Sequence, residues 1–218
     1  CSVNVSFIQF RRMNSVYVNG IKIFIFSSKE DIIQYAAKEK KCLIAINADK
    51  ILHATDQTRS IINENIGYAD GIGAVFALRQ KGFKDAIKIP GCELWLDIIR
   101  NYYKSRSFYL IGSSEVIIKL TVKKLKSEFP GINIIGYNNG YMNNVDKVKH
   151  IENTITLKKP DIIFVAMGSP KQEIFIDSLQ RSHSAIYQGL GGSFDIYTGH
   201  SKRAPNWWIK NNLEGAYR

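Results

Sequence analysis

The sequence predicts an α/β protein with a mostly parallel sheet, helices on both faces and an N-terminal β-hairpin. Three observations lead to this prediction. Short apolar segments of strand length alternate with segments of helical periodicity along the 218 residues. Most strand segments are continuously apolar, as expected when both faces of a sheet are covered. Near the start, Asn19-Gly20 separates two β-type runs, which indicates a type I′ hairpin turn. Strands and helices that alternate in this way are typical of Rossmann-like folds.

The elements follow in order from this pattern. Segments 16–18 and 21–26 form the hairpin, and Ser27 with Glu30 has the form of a capping box that opens a helix to about residue 38. A strand at 43–46 precedes a helical region at 48–64, with a break near Asp56. Asp70-Gly71 leads into a helix that ends near Lys81-Gly82, where glycine suits the left-handed cap.

The second half continues the alternation. A helix near residue 95 carries large apolar residues at positions that share one face; these residues are Leu94, Trp95, Ile98, Ile99 and Tyr102. Strands are predicted at 108–111, 132–136, 162–166 and 185–189, with helices between them. We find no repeat and no linker, so residues 1–218 are interpreted as a single domain.

Composition limits the class of protein. The chain is 45% hydrophobic and 22% charged, as globular proteins are. No apolar stretch approaches the ~20 residues of a membrane-spanning helix, and no signal peptide is visible. The cysteines Cys1, Cys42 and Cys92 form no paired motif, which favours a reduced, cytoplasmic setting. The net charge of +11 attracts polyanions, which include nucleic acid, anionic lipid and phosphorylated substrates.

Four unusual loops follow predicted strands. In parallel sheets the ligand crevice lies beyond the carboxyl ends of the strands, so we expect these loops to meet at one edge. They are Asn47-Ala48-Asp49, Gly112-Ser113-Ser114, Gly168-Ser169-Pro170 and the loop 189–193 with Gly191 and Gly192.

The run 167–173 is open to two interpretations. Ser169 as N-cap, Pro170 at the first helical position and Gln172 in a capping box describe an ordinary helix start. Alternatively, the free N–H groups of that helix start bind a phosphate, with Lys171 adding charge and Gln172 reading a base edge. The Gly112 loop is likewise either a plain strand–helix turn or a diphosphate cradle.

Polar residues in other loops are candidates for chemistry. Asp70 is either a helix N-cap or a general base that accepts the proton of an attacking sugar hydroxyl. Lys202 and Arg203 form either a solvated basic loop or a contact to a lipid diphosphate. No His, Cys or carboxylate group has metal-ligand spacing and no Asp-x-Asp occurs, so metal-free chemistry without a cofactor is the default expectation.

Read together, these segments resemble the WecG/TagA/CpsF family of bacterial glycosyltransferases. The resemblance covers nearly the whole chain, from about residue 16 to residue 218, and its motifs occur in the family's order. The matching segments are Ile46-Asn47-Ala48-Asp49-Lys50, Tyr68-Ala69-Asp70-Gly71-Ile72, Gly91-Cys92-Glu93-Leu94-Trp95, Gly168-Ser169-Pro170-Lys171-Gln172-Glu173, Gly191-Gly192-Ser193-Phe194-Asp195 and Thr198-Gly199-His200-Ser201-Lys202-Arg203-Ala204-Pro205.

The resemblance implies an inverting, metal-independent enzyme at the cytoplasmic face of the plasma membrane. It would transfer a sugar from a UDP donor to an undecaprenyl-diphosphate-linked N-acetylglucosamine. In that family the residue matching Asp70 is the proposed base, the residue matching Asn47 lies in the same pocket, and the one matching Gln172 is associated with the nucleotide. The other residues expected to bind substrate are Lys88 (where the family often has Arg), Gly112, Gly168, Ser169, Lys171, Glu173, Gly191, Gly192, Lys202 and Arg203.

Several alternatives stay open on sequence. The Tyr-Ala-Asp-Gly, Leu-Trp and Thr-Gly-His forms resemble the branch that transfers N-acetyl-D-mannosaminuronic acid in enterobacterial common antigen synthesis. Transfer of N-acetylmannosamine to a wall polymer is the nearest alternative. A basic nucleic-acid-binding domain is disfavoured by the dispersed cations, and a non-catalytic scaffold is kept open by Ala45, where the family usually has Thr. The family's membrane-docking tail is expected to be absent, and homo-oligomers are left open.

Overall fold

The computed structural model describes residues 13–142 and 144–201. The strands are β1 (Ser15–Val18), β2 (Ile21–Phe24), β3 (Cys42–Ile46), β4 (Ile66–Ala69), β5 (Ser107–Gly112), β6 (Asn133–Asn138), β7 (Ile162–Ala166) and β8 (Ile186–Gly189). The helices are α1 (Lys29–Glu39), α2 (Ala48–His53), α3 (Asp56–Glu64), α4 (Ile72–Gln80), α5 (Gly91–Tyr102), α6 (Glu115–Glu128), α7 (Val145–Lys158), α8 (Lys171–Gln180) and α9 (Ser193–Tyr197).

All eight strands of this part of the chain join one sheet in the order β1-β2-β4-β3-β8-β7-β5-β6. Only β1 runs antiparallel to its neighbour, and the other pairs are parallel. The predicted fold class is therefore confirmed, including the N-terminal hairpin. Asn19 and Gly20 have φ values of 47° and 76°, as a type I′ turn requires.

Helices cover both faces of the sheet, which explains why its central strands β3, β5 and β7 are largely apolar. One core layer contains buried residues of α2, α3, α4, α7 and α8. The opposite layer contains those of α1, α5, α6 and α9, and Trp95 is its largest fully buried side chain. Burial of apolar surface on each face stabilises the packing of the helices against the sheet by about 25 cal/mol per Å².

Local details of two helix starts differ from the sequence predictions. The N-cap of α1 is Ser28, not Ser27, because the Ser28 hydroxyl accepts the Asp31 N–H at 3.1 Å. The Ser27 N–H instead donates to the Asp31 carboxylate at 3.2 Å. The predicted break in segment 48–64 is confirmed, since Thr55 caps a separate helix, α3.

Candidate active site

The loops after β4, β3, β8, β7 and β5 lie side by side at one edge of the sheet. These five strands are neighbours in that order and run in parallel. Ile46 pairs with Ala69, so Asn47 and Asp70 follow neighbouring strand ends. Val165 pairs with Gly189 in the same way. The expectation that the strand-end loops meet at one edge is confirmed.

Asp70 lies at this edge, beside the start of α5. Its backbone N–H donates to the Ile46 carbonyl at 3.0 Å, which continues the pairing of β3 and β4. Its Oδ1 accepts the backbone N–H of Gly91, the first residue of α5, at 2.7 Å. The interpretation of Asp70 as a helix N-cap is wrong, because Gly71 occupies that position in α4. The N-terminus of α5, the positive end of its dipole, faces the Asp70 carboxylate instead.

Asn47 belongs to the loop next to Asp70. Its side-chain oxygen accepts the Lys50 N–H at 2.9 Å and so caps α2. A Cβ placed on Gly71 would lie 3.7 Å from the Asn47 Cβ, so only a narrow gap separates the two loops. The structure therefore brings together the two residues that the sequence predicted to be catalytic.

Gln172 is buried beneath the loop that follows β8. It is 5% exposed, and its Oε1 accepts the Gly191 N–H at 2.9 Å. A Cβ on Gly189 would lie 2.6 Å from the Gln172 Nε2, so any larger residue there would displace the Gln172 amide. The predicted capping box is wrong, because this amide holds the Gly191 turn instead of closing the helix start. Contact of Gln172 with a nucleotide stays a prediction.

The start of α8 also differs from its prediction. The helix begins at Lys171, with Pro170 before it and no side-chain cap, so Ser169 is not the N-cap. Ser169 and Lys171 are exposed. Gly168 and Gly191 have φ values of 77° and 56°, and a Cβ on either would meet no atom of the described residues within 4 Å. Within this part of the chain, both turns therefore face open space.

A buried ion pair links two of these loops. Lys50 Nζ lies 2.8 Å from Glu173 Oε1, and their side chains are 15% and 3% exposed. The same Nζ donates to the Ala45 carbonyl at 2.9 Å. Gln172 Nε2 donates to Glu173 Oε1 at 3.3 Å. This polar network, which we call the Lys50–Glu173–Gln172 network, was missed from sequence, although both motifs were identified.

The Gly112 turn packs tightly against β7. Gly112 has a φ of 140°, and a Cβ there would lie 2.2 Å from the Ala166 carbonyl oxygen. The Ser113 N–H donates to that carbonyl at 3.0 Å. The Ser113 hydroxyl donates to the Asp195 carboxylate at 3.0 Å, a contact that the sequence did not predict. The Ser113 N–H is thus bonded to β7 and is not offered to a diphosphate. The role of Gly112 in binding stays a prediction.

The remaining predicted residues fall into two groups. Lys88 is half-buried in the loop just before α5, and its role in binding stays a prediction. Lys202 and Arg203 lie outside the described residues. Within residues 13–142 and 144–201, no three His, Cys, Asp or Glu side chains gather as a metal site would require. No helix of this part is both long and apolar enough to cross a membrane.

A parallel sheet with polar loops at its carboxyl edge is the architecture of many nucleotide-dependent enzymes. Fold alone does not assign an activity. The sequence profile described as Glycosyl transferase WecG/TagA/CpsF family matches residues 16–218 of the chain. The chain therefore belongs to this family, and the protein is a glycosyltransferase.

Proposed function

We propose that the protein transfers N-acetyl-D-mannosaminuronic acid from UDP to undecaprenyl-diphosphate-linked N-acetylglucosamine, with inversion and without a metal ion. The observation that carries this proposal is the placement of Asp70 and Asn47 at neighbouring strand ends on the carboxyl edge of the sheet, where the Asp70 N–H donates to the Ile46 carbonyl at 3.0 Å. The membership of a glycosyltransferase family supports sugar transfer by a carboxylate placed in this way.

The chemistry assigned to Asp70 follows from its position. The ionised carboxylate accepts the proton of the acceptor hydroxyl as that oxygen attacks the anomeric carbon of the donor. The new C–O bond forms on the face opposite the bond to the diphosphate oxygen, which breaks and releases UDP. One displacement of this kind inverts the configuration. General-base assistance of this kind contributes about 10²–10⁴-fold to a rate.

The donor is assigned to the turns at Gly168 and Gly191-Gly192. Both face open space among the described residues, and the first leads into α8, whose N-terminal N–H groups and Lys171 favour a diphosphate. The Gln172 amide supports this site by holding the Gly191 N–H at 2.9 Å. Gln172 is thus assigned to the nucleotide site through the turn that it fixes.

The identity of the sugar and acceptor comes from the resemblance of motifs. The Tyr68-Ala69-Asp70-Gly71, Leu94-Trp95 and Thr198-Gly199-His200 forms resemble the mannosaminuronic acid branch of the family. The net charge of +11 suits a lipid diphosphate at the anionic cytoplasmic face of the plasma membrane. Both features support a peripheral enzyme that meets its acceptor at the membrane surface.

The test is a transfer assay with the full chain. UDP release is followed with a panel of UDP-sugars and a short-chain polyprenyl-diphosphate N-acetylglucosamine acceptor, with and without chelator. We expect turnover with the mannosaminuronic donor, unaffected by chelator and reduced at least about 100-fold in Asp70→Asn. Asp177→Asn is the matched control, since Asp177 pairs with Arg181 at the far end of α8.

Other outcomes would change specific parts of the proposal. Turnover with UDP-N-acetylmannosamine alone would replace the donor by that of the wall-polymer branch. Full turnover in Asp70→Asn would overturn the assignment of the base. Salt-sensitive RNA binding by a protein without turnover on any donor would overturn the enzymatic proposal.

A further inference from the structure

Gln188 has an amide side chain in the middle of the sheet. It lies in β8 between β3 and β7, and it is 0% exposed. Its Nε2 donates to the Gly91 carbonyl at 3.2 Å and lies 3.4 Å from the Tyr68 hydroxyl. Glutamine is seldom fully buried, because an amide in an apolar core costs free energy unless it is bonded. An apolar residue would stabilise this core position more than glutamine does, unless a bond made by the amide is needed for function.

Gln188 and Asp70 both form hydrogen bonds to the backbone of Gly91. Gly91 begins α5, and its N–H donates to Asp70 Oδ1 at 2.7 Å. The Gly91 carbonyl accepts the Gln188 amide. One residue of backbone thus joins the carboxylate of the proposed base to the centre of the sheet.

Tyr68 closes this arrangement from the side. A Cβ on Gly91 would lie 2.8 Å from the Tyr68 hydroxyl and 3.7 Å from Asp70 Oδ1, so residue 91 fits closely against both. Burial, and then the charge of Asp70, raises the pKa of the Tyr68 phenol well above its usual value. Tyr68 therefore stays neutral and packs beside the Asp70 carboxylate without adding a charge.

We propose that Gln188 is a positioning residue for Asp70 and acts through Gly91. This inference rests on the assignment of Asp70 as the base. The Gln188 amide fixes the first residue of α5, and the fixed N–H orients the carboxylate towards the acceptor hydroxyl. Reactive groups must be held to within about 0.5 Å, and a 1 Å misplacement can cost about 10²-fold in rate.

Gln188→Met tests the proposal, because methionine has a similar length and no donor. The backbone amide proton of Gly91, bonded to a carboxylate, is followed by NMR, together with kcat and the KM for the UDP-sugar. We expect the Gly91 resonance to move upfield, kcat to fall by about 10- to 100-fold, and KM to stay within about twofold. Gln180→Met is the control, since its amide bonds to Asn65 at 3.0 Å at the opposite edge of the sheet.

Gln188→Glu provides a second variant of the same length. A buried carboxyl is neutral and offers an O–H donor to the Gly91 carbonyl. We expect it to restore the Gly91 resonance and part of kcat relative to Gln188→Met. Equal losses in both variants would show that a donor to the Gly91 carbonyl does not restore the site, and would overturn the proposal.

The two assignments fail in different ways. An unchanged Gly91 resonance and kcat in Gln188→Met, with turnover lost in Asp70→Asn, would overturn the positioning role and leave the base in place. Full turnover in Asp70→Asn would overturn the base, and the positioning role with it.

Discussion

Lys50 and Glu173 form a buried ion pair at 2.8 Å although 123 residues separate them along the chain. Lys50 lies in the first turn of α2, just after Asn47, and Glu173 lies in the first turn of α8, just after the Gly168 turn. The pair therefore fixes the distance between the loop that carries Asn47 and the loop assigned to the donor. Its loss affects both stability and the shape of the site.

Lys50→Met is expected to destabilise the fold by about 3 kcal/mol. Removing one partner of a buried pair leaves the other charge without compensation, and such changes cost about 3–5 kcal/mol. The lower end applies because the Lys50 side chain retains 15% exposure. Urea unfolding followed by circular dichroism measures the change.

The double variant Lys50→Met/Glu173→Gln is expected to regain a large part of that loss, since no charge remains buried. Arg181→Met is the control, because Arg181 pairs with Asp177 but is 79% exposed. Its expected cost is below about 1 kcal/mol. Equal effects of Lys50→Met and Arg181→Met would contradict the structural role of the buried pair.

Gln172→Met is expected to weaken UDP binding by about tenfold, or ~1.4 kcal/mol. Methionine fills a similar volume but cannot accept the Gly191 N–H, so the turn assigned to the nucleotide loses its anchor. Isothermal titration with UDP measures the affinity. Gln180→Met, on the same helix, is expected to bind UDP as the wild type does. Unchanged affinity for UDP in Gln172→Met would show that Gln172 does not support the nucleotide site.

Gly112→Ala is expected to destabilise the protein by more than about 3 kcal/mol. The new Cβ would lie 2.2 Å from the Ala166 carbonyl oxygen, and this oxygen is backbone of a central strand and cannot move aside. Gly131→Ala is the matched control, because Gly131 has a φ of 85° and a Cβ there would meet no atom within 4 Å among the residues that the structure describes. The Gly131→Ala variant measures only the loss of stability from a side chain on a left-handed backbone, about 1–2 kcal/mol. Similar melting temperatures for the two variants would contradict the close packing of β5 and β7.

Most of the fold was predictable because its signals are local. The Asn19-Gly20 turn, the apolar strands and the glycine after α4 each reflect backbone or burial preferences that nearby residues express. The exact helix starts were not predictable to the same degree. Ser27 and Ser28 are both suitable caps, and the competition is decided by which hydroxyl reaches the Asp31 N–H.

The site was predictable only in part, because its contacts join distant segments. The motif around Asn47 and the motif around Glu173 were both identified, but the Lys50–Glu173 bond depends on how α2 and α8 pack. For the same reason the Asp70 carboxylate looked like a cap for α4, whereas it bonds to Gly91 across the loop. Gln188 carried no signal, since one amide in an apolar strand says nothing about its partner.

Asp161 is expected to make stability depend on pH below about pH 4. Burial acts to raise the pKa of its carboxyl, but hydrogen bonds from the Ser107 backbone and hydroxyl, and the nearby Arg106, outweigh burial and hold that pKa below its usual value of 3.8. A carboxyl with a depressed pKa stabilises the fold above its unfolded-state pKa, and this contribution is lost as pH falls through the folded-state pKa.

The comparison of wild type with Asp161→Asn measures this contribution. We expect the difference in the free energy of unfolding to be about 1 kcal/mol between pH 5 and 8, a modest value because the side chain is 39% exposed. The difference should shrink between pH 4 and pH 2, as the wild-type carboxyl takes up its proton. A difference that stays constant over that range would show that the bonds from Ser107 stabilise the neutral and charged forms equally.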